Sequence, residues 1–239
     1  MIIIFRLCGD VFADPRISAD NLKEGMRDNL ERLLANPLGG KLTAIATENQ
    51  SLFQQWFGEL VGKAAAATDQ YAATDDQEAA REELLDFVRE GYGHARFALR
   101  APADKGGFTK LYPDGLDEYN NADLTNFDTL MTRYDQQLDE VKDQVGAAYV
   151  TEFDGLLAAY GATRGLQLQA KGKLSTARAT VAATRPLITA QLTKTLHTIC
   201  LHTGVDAALA ASYWDQRFFD TESPEADKDD TAPAPTPGG

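Results

Sequence analysis

The chain has 239 residues, a formal net charge of −13, 44% hydrophobic residues and 25% charged residues. That length and apolar fraction allow one ordinary domain, or two small ones, with a real core, and exclude global disorder. The longest apolar runs, residues 1–5 and 64–67, fall far short of the roughly 20 residues a bilayer-spanning helix needs, so no membrane span is expected.

No positive segment precedes the first apolar run, and Arg6 and Asp10 follow it, which argues against a signal peptide and for a cytoplasmic chain. Cys8 and Cys200 form no CxxC pair and fit a reducing compartment without a disulfide framework. The acidic balance disfavours nucleic acid as a partner, because phosphate binding needs clustered Lys and Arg.

The charge is unevenly distributed. From 155 to 205 there is no Asp or Glu, while Arg164, Lys171, Lys173, Arg178, Arg185 and Lys194 all fall there. At the other extreme, residues 221–239 combine five acids with Lys228 and a Pro-rich end, a composition that cannot repay its ordering entropy and reads as a disordered tail. The run DDQEAAREELLDFVRE at 75–90 forms an acidic, solvated helix face.

Apolar residues three and four apart recur in most windows, so the predicted fold is all-α, an elongated antiparallel bundle of five or six helices with a coiled-coil-like seam. Residues 1–17 form an N-terminal arm, since the strand-like MIIIFRL has no partner strand. One helical-bundle domain spans 18–220, in two subassemblies, 18–101 and 121–219, that share a core.

The first helix starts at Ser18 or Asp20, carries Leu22, Met26, Leu30, Leu33 and Leu34, and stops at Asn36-Pro37. A turn at Leu38-Gly39-Gly40 leads to a second helix over about 41–72. A third begins at the capping-box-like Thr74-Asp75-Asp76-Gln77 and ends before Pro102. Residues 102–120 read as a long loop whose Phe108, Leu111, Tyr112, Leu116 and Tyr119 pack it down.

Next comes a register of Leu124, Phe127, Met131, Tyr134, Leu138, Val141, Val145 and Ala148. A second register runs through Phe153, Leu156, Tyr160, Thr163, Gln167, Ala170, Leu174, Ala177, Val181, Thr184 and Ile188. The phase slip between them, Gly146, and a weak capping box at 151–154 predict a hairpin turn. Gly172 and Pro186 are the two places where the long second helix could break or kink. A short last helix over 205–219 offers Tyr213, Trp214, Phe218 and Phe219 as a plug.

Arg164, Lys171, Arg178 and Arg185 recur every seventh residue beside the second seam. A hairpin centred near 149 would bring Asp135 opposite Arg164 and Asp128 near Lys171, so register-setting ion pairing is the leading reading of the stripe. Each such exposed pair is worth only about 0.2–1 kcal/mol. A groove for an anionic partner is the alternative.

No motif carries catalysis. Glu90 and His94 are four apart but lack the second Glu-x-x-His of a di-iron site. The segment His197-Thr-Ile-Cys200-Leu-His202 has no nearby carboxylate and suits a helix end. Phosphate-loop, nucleophile-elbow and zinc-protease patterns are absent. No catalytic residue, cofactor or metal is therefore expected.

KLYPDGLDEYNNADLTNFDTLMTRY at 110–134, the AKGKLSTAR run and the closing YWDQRFFD resemble an uncharacterised family of all-helical bacterial proteins of the Bacteroidetes type. The resemblance covers the second half of the chain. It implies an intracellular helical bundle and brings no activity with it.

The expected function is a scaffold or oligomerisation module whose partner is protein, self-association first, with membranes and nucleic acid disfavoured. One alternative is a membrane-associating or pore-forming bundle, suggested by the Ala-rich segments and the acid-free helix. A second is an enzyme built on the 102–120 loop with Tyr112, Asp114, Asp117 and Glu118.

Overall fold

The computed structural model describes residues 11–101, 105–204 and 206–219. Among them the α-helices are α1 (Ala19–Ala35), α2 (Thr43–Ala98), α3 (Lys105–Leu111), α4 (Asp117–Asn120), α5 (Phe127–Glu140), α6 (Lys142–Val145), α7 (Ala147–His202) and α8 (Ala207–Ala211). Short 3-10 turns cover Val11–Ala13 and Gln216–Phe218, and the described residues contain no strand. The fold is all-α, as its periodicity requires. The strand-like start of the predicted arm and the predicted tail at 221–239 lie outside the described residues.

Helix α1 begins where its cap was read: Ser18 Oγ accepts the Asn21 N–H at 3.0 Å, and Asp20 lies in the first turn, where the helix dipole favours an acid. It ends before Pro37. Leu38, Gly39 and Gly40 then take φ of 48, 64 and 91°, a left-handed turn in which two of the three positions are glycine.

The break expected at 72–74 does not occur. Helix α2 is continuous for 56 residues, and the Thr74 hydroxyl donates back to the Gln70 carbonyl at 2.8 Å instead of capping a new helix. No Gly or Pro lies between Gly62 and Gly91, and the intervening alanines favour helix, so nothing there stops it. Likewise α7 runs 56 residues through both Gly172 and Pro186. The 102–120 segment is not one irregular loop, since α3 and α4 lie within it.

The hairpin turn is real but displaced. Gly146, at φ 95°, closes α6, and α7 starts at Ala147; Thr151 donates to the Ala147 carbonyl at 2.9 Å rather than capping. The pairs Tyr134–Phe153, with rings 5.0 Å apart, and Asp128–Tyr160, bonded at 2.7 Å, are both centred on residue 143 or 144, not 149. The two seams are otherwise as read. Phe127, Met131, Tyr134, Leu138, Val141 and Val145 are buried, with the end members Leu124 and Ala148 exposed, and all eleven positions of the second seam are buried or half-buried.

The chain divides into two units, residues 1–62 with 178–239, and residues 63–177, and each draws on both long helices. In the first unit the core gathers Leu22, Met26, Leu30 and Leu33 of α1 with Leu42, Ile45 and Trp56, and with Ile188, Leu192, Leu196 and Ile199 of α7. Phe12, Tyr213, Trp214 and Phe219 complete it. Gly25 is buried here because the Phe219 ring occupies the space a Cβ would take.

A polar network crosses that core. Asn29 Nδ2 donates to the Tyr213 carbonyl at 3.0 Å, Asn49 Nδ2 donates to Asn29 Oδ1 at 3.1 Å, and Asn49 Oδ1 accepts from Gln191 Nε2 at 2.8 Å and Thr195 Oγ1 at 3.0 Å. All four side chains are buried, so each satisfied bond also fixes which neighbour is permitted.

In the second unit Leu84, Leu85, Val88, Ala95 and Leu99 of α2 pack with Leu111, Tyr112, Tyr119, the α5 seam, and Phe153 and Tyr160 of α7. Gly107 admits Val141 Cγ1 within 2.7 Å of where a Cβ would stand.

Candidate functional site

The four loop residues have different surroundings. Tyr112 is buried, Asp114 and Asp117 are exposed, and Glu118 is paired with Arg133 at 2.7 Å. Arg133 also donates to the Tyr119 hydroxyl at 3.1 Å, and Tyr119 donates to the Leu111 carbonyl at 2.6 Å. Burial, partly offset by Arg133, raises the Tyr119 phenol to about 12. This arrangement holds the α3–α4 segment against α5.

What the sequence did not reveal is a chain of phenols. Tyr112 Oη donates to the Val88 carbonyl at 2.8 Å and lies 3.0 Å from Tyr134 Oη, which lies 2.9 Å from Tyr149 Oη. A phenol has one proton, and a carbonyl can only accept. The donors therefore run Tyr149 to Tyr134 to Tyr112 to Val88.

Burial raises all three phenol pKa values, most of all Tyr134, which also has Tyr112 and Tyr149 beside it. The outermost ring, Tyr149, stacks on His94 at 4.8 Å, and His94 Nε2 donates to the Val145 carbonyl at 2.9 Å. The spacing of these tyrosines reads as core seam, and nothing in the sequence separates a hydrogen-bonded phenol from a merely packed one.

The expected ion pairs between the basic stripe and α5 do not form. With the turn centred five residues earlier than expected, Asp128 accepts from the Tyr160 hydroxyl instead of meeting Lys171. Asp135 is opposite no cation: burial raises its pKa, and Asp154 and Asp139 add to the rise.

The stripe itself separates into different roles. Arg164 donates to Gln167 Oε1 at 2.6 Å, and Lys171 and Arg178 are exposed. Arg185 donates to the carbonyls of Asp14 and Ile17 at 3.2 and 2.6 Å, tying down the segment that precedes α1. Among the described residues none of the four is in an ion pair with an acid.

The most informative surface is a stretch of helix that its unit's core does not reach. In the second unit the core's members on α2 begin at Ala80 and those on α7 end at Tyr160. Residues 63–79 and 161–177 belong to no core cluster, and Gln77, Ala170 and Leu174 are their only buried side chains.

The seam there includes Gln70, Thr74 and Gln77 on α2 and Thr163, Gln167, Ala170, Leu174 and Ala177 on α7, with Gln167 Nε2 to Thr74 Oγ1 at 3.5 Å. Meanwhile Tyr71, Leu166 and Leu168 stand 69, 58 and 54% exposed. Apart from Leu174 the seam residues are small or polar and bury little apolar area, so this pair of helices is weakly held from within.

Among the described residues no group of three His, Cys, Asp or Glu side chains could hold a metal ion, and no helix is long and apolar enough to cross a membrane. Comparison with protein-family models, curated proteins and solved structures gives no match.

Proposed function

We propose that the protein is a non-catalytic interaction module, a helical scaffold whose working surface is the stretch formed by residues 63–79 of α2 and 161–177 of α7. The observation that carries this is the pairing of a seam that is small or polar apart from Leu174 with the exposed Tyr71, Leu166 and Leu168 on the same two helices. Large apolar side chains left exposed on a stretch lacking its own core are what a partner covers. Arg164 and Lys171, which lie within that surface and in no ion pair among the described residues, add electrostatic selectivity to it.

The test is site-specific photocrosslinking inside cells. A photoreactive benzoylphenylalanine at Tyr71 or Leu168 is expected to give a discrete protein adduct, and the same residue at the exposed Glu31 is expected to give none. Absence of adduct at both Tyr71 and Leu168 would contradict the interaction role.

A further inference from the structure

We infer that the partner of this surface is a second copy of the chain, docked through one identified face of the helix pair. The inference rests on the interaction role proposed above and adds its occupant.

In an antiparallel pair, positions one residue C-terminal to the seam lie on the same side of both helices. On α2 that row is Ala64, Thr68, Tyr71, Asp75 and Glu78, all exposed. On α7 it is Gly161, Arg164, Leu168, Lys171 and Ser175, all exposed except the half-buried Arg164. One helix thus offers a bulky knob and two acids; the other offers two cations, a leucine and small residues, with nothing within 4 Å of a Cβ at Gly161. Among the described residues Asp75, Glu78, Arg164 and Lys171 are in no ion pair.

A face carrying both halves of a complementary set is self-complementary under two-fold rotation. With the axis along the helices, α2 of one copy lies over α7 of the other, and the rotation preserves level along the pair. Thr74 is level with Gln167 through their hydrogen bond. Asp75 and Glu78 of one copy therefore come level with Arg164 of the other, and Tyr71 comes level with Leu168 and Lys171. The result is a four-helix arrangement whose two contacts are identical, each covering the Tyr71 and Leu168 that a single copy leaves exposed.

The test uses the full chain and light scattering over a concentration series. Wild type is expected at the mass of two chains. Asp75→Lys with Glu78→Lys, and separately Arg164→Glu with Lys171→Glu, are expected to weaken self-association about tenfold each, and an equimolar mixture of the two variants to restore it.

Helical content by circular dichroism should be unchanged, because the substituted positions lie outside both cores. A single-chain mass for wild type at every concentration would overturn the inference, as would variants that associate as wild type does or a mixture that fails to recover. If wild type stays a single chain while the Tyr71 probe yields an adduct of another mass, self-docking falls and the interaction role stands.

Discussion

The hydroxyls of Tyr112 and Tyr134 meet at 3.0 Å in the second unit's core, and because Tyr112 donates its proton to Val88, Tyr134 is the donor between them. The direction of the chain ranks three substitutions that chemistry alone would make equal. Tyr134→Phe strands the Tyr149 donor, and Tyr112→Phe strands the Tyr134 donor, at about 1–3 kcal/mol each. Tyr149→Phe strands no donor and is expected to cost about 0.5–1.5 kcal/mol. Urea unfolding of the three variants checks the order, and a Tyr149→Phe variant less stable than the other two would show that the chain does not run this way.

Two glycines of α2, two residues apart, should respond with opposite sign. Gly93 is exposed with nothing within 4 Å of a Cβ, so Gly93→Ala is expected to gain up to about 1 kcal/mol from helix propensity. At Gly91 a Cβ would overlap the Tyr149 hydroxyl, so Gly91→Ala should displace that ring and destabilise the unit despite the same propensity gain. Thermal melts of the two variants decide it, and two stabilised proteins would refute the close approach of Tyr149 to α2.

The hairpin depends on Gly146, whose φ of 95° and ψ of 139° suit only a residue without a Cβ. Gly146→Ala is expected to cost about 1–3 kcal/mol. Chemical denaturation gives the value, and a change within a few tenths of a kcal/mol would mean the turn can be made another way.

Asp135 contributes a pH dependence to this hairpin. Its folded pKa lies above the unfolded one, through burial and then through Asp154 and Asp139, so the folded state holds its proton more tightly. Its ionisation therefore penalises folding: the contribution is absent below the unfolded pKa and grows as pH rises through the folded pKa. Asp135→Asn is accordingly expected to raise Tm at pH 7, with the advantage shrinking toward pH 4. A Tm unchanged or lowered at pH 7 would mean that the aspartate has a compensating cation.

Much of this fold is written in spacing. Residues three and four apart, from Phe127 to Val145 and from Phe153 to Ile188, name the buried faces of α5 and α7, because burial of a stripe is what that period records. Starts and stops were legible only where the chemistry is unambiguous, as at Ser18 and Pro37. Thr74 and Thr151 were misread for one reason: a threonine that caps a helix and a threonine that donates to the carbonyl four residues back look alike in sequence.

A cap at Thr151 would centre the hairpin about five residues later than it is and would imply ion pairs that the described residues do not contain. The basic row itself was legible, but which acids face it was not. The Asn29–Asn49–Gln191 network was invisible, since its members are 20 and 142 residues apart and each alone is an ordinary polar side chain.

Hydrogen–deuterium exchange, with the protein dilute enough for light scattering to read a single chain, tests most directly whether residues 63–79 and 161–177 lack a core of their own. The expected result is markedly faster exchange in those two stretches than in 84–98 of the same α2 and 147–160 of the same α7, with the difference shrinking as the protein is concentrated. Equal protection along both helices in the dilute sample would contradict it.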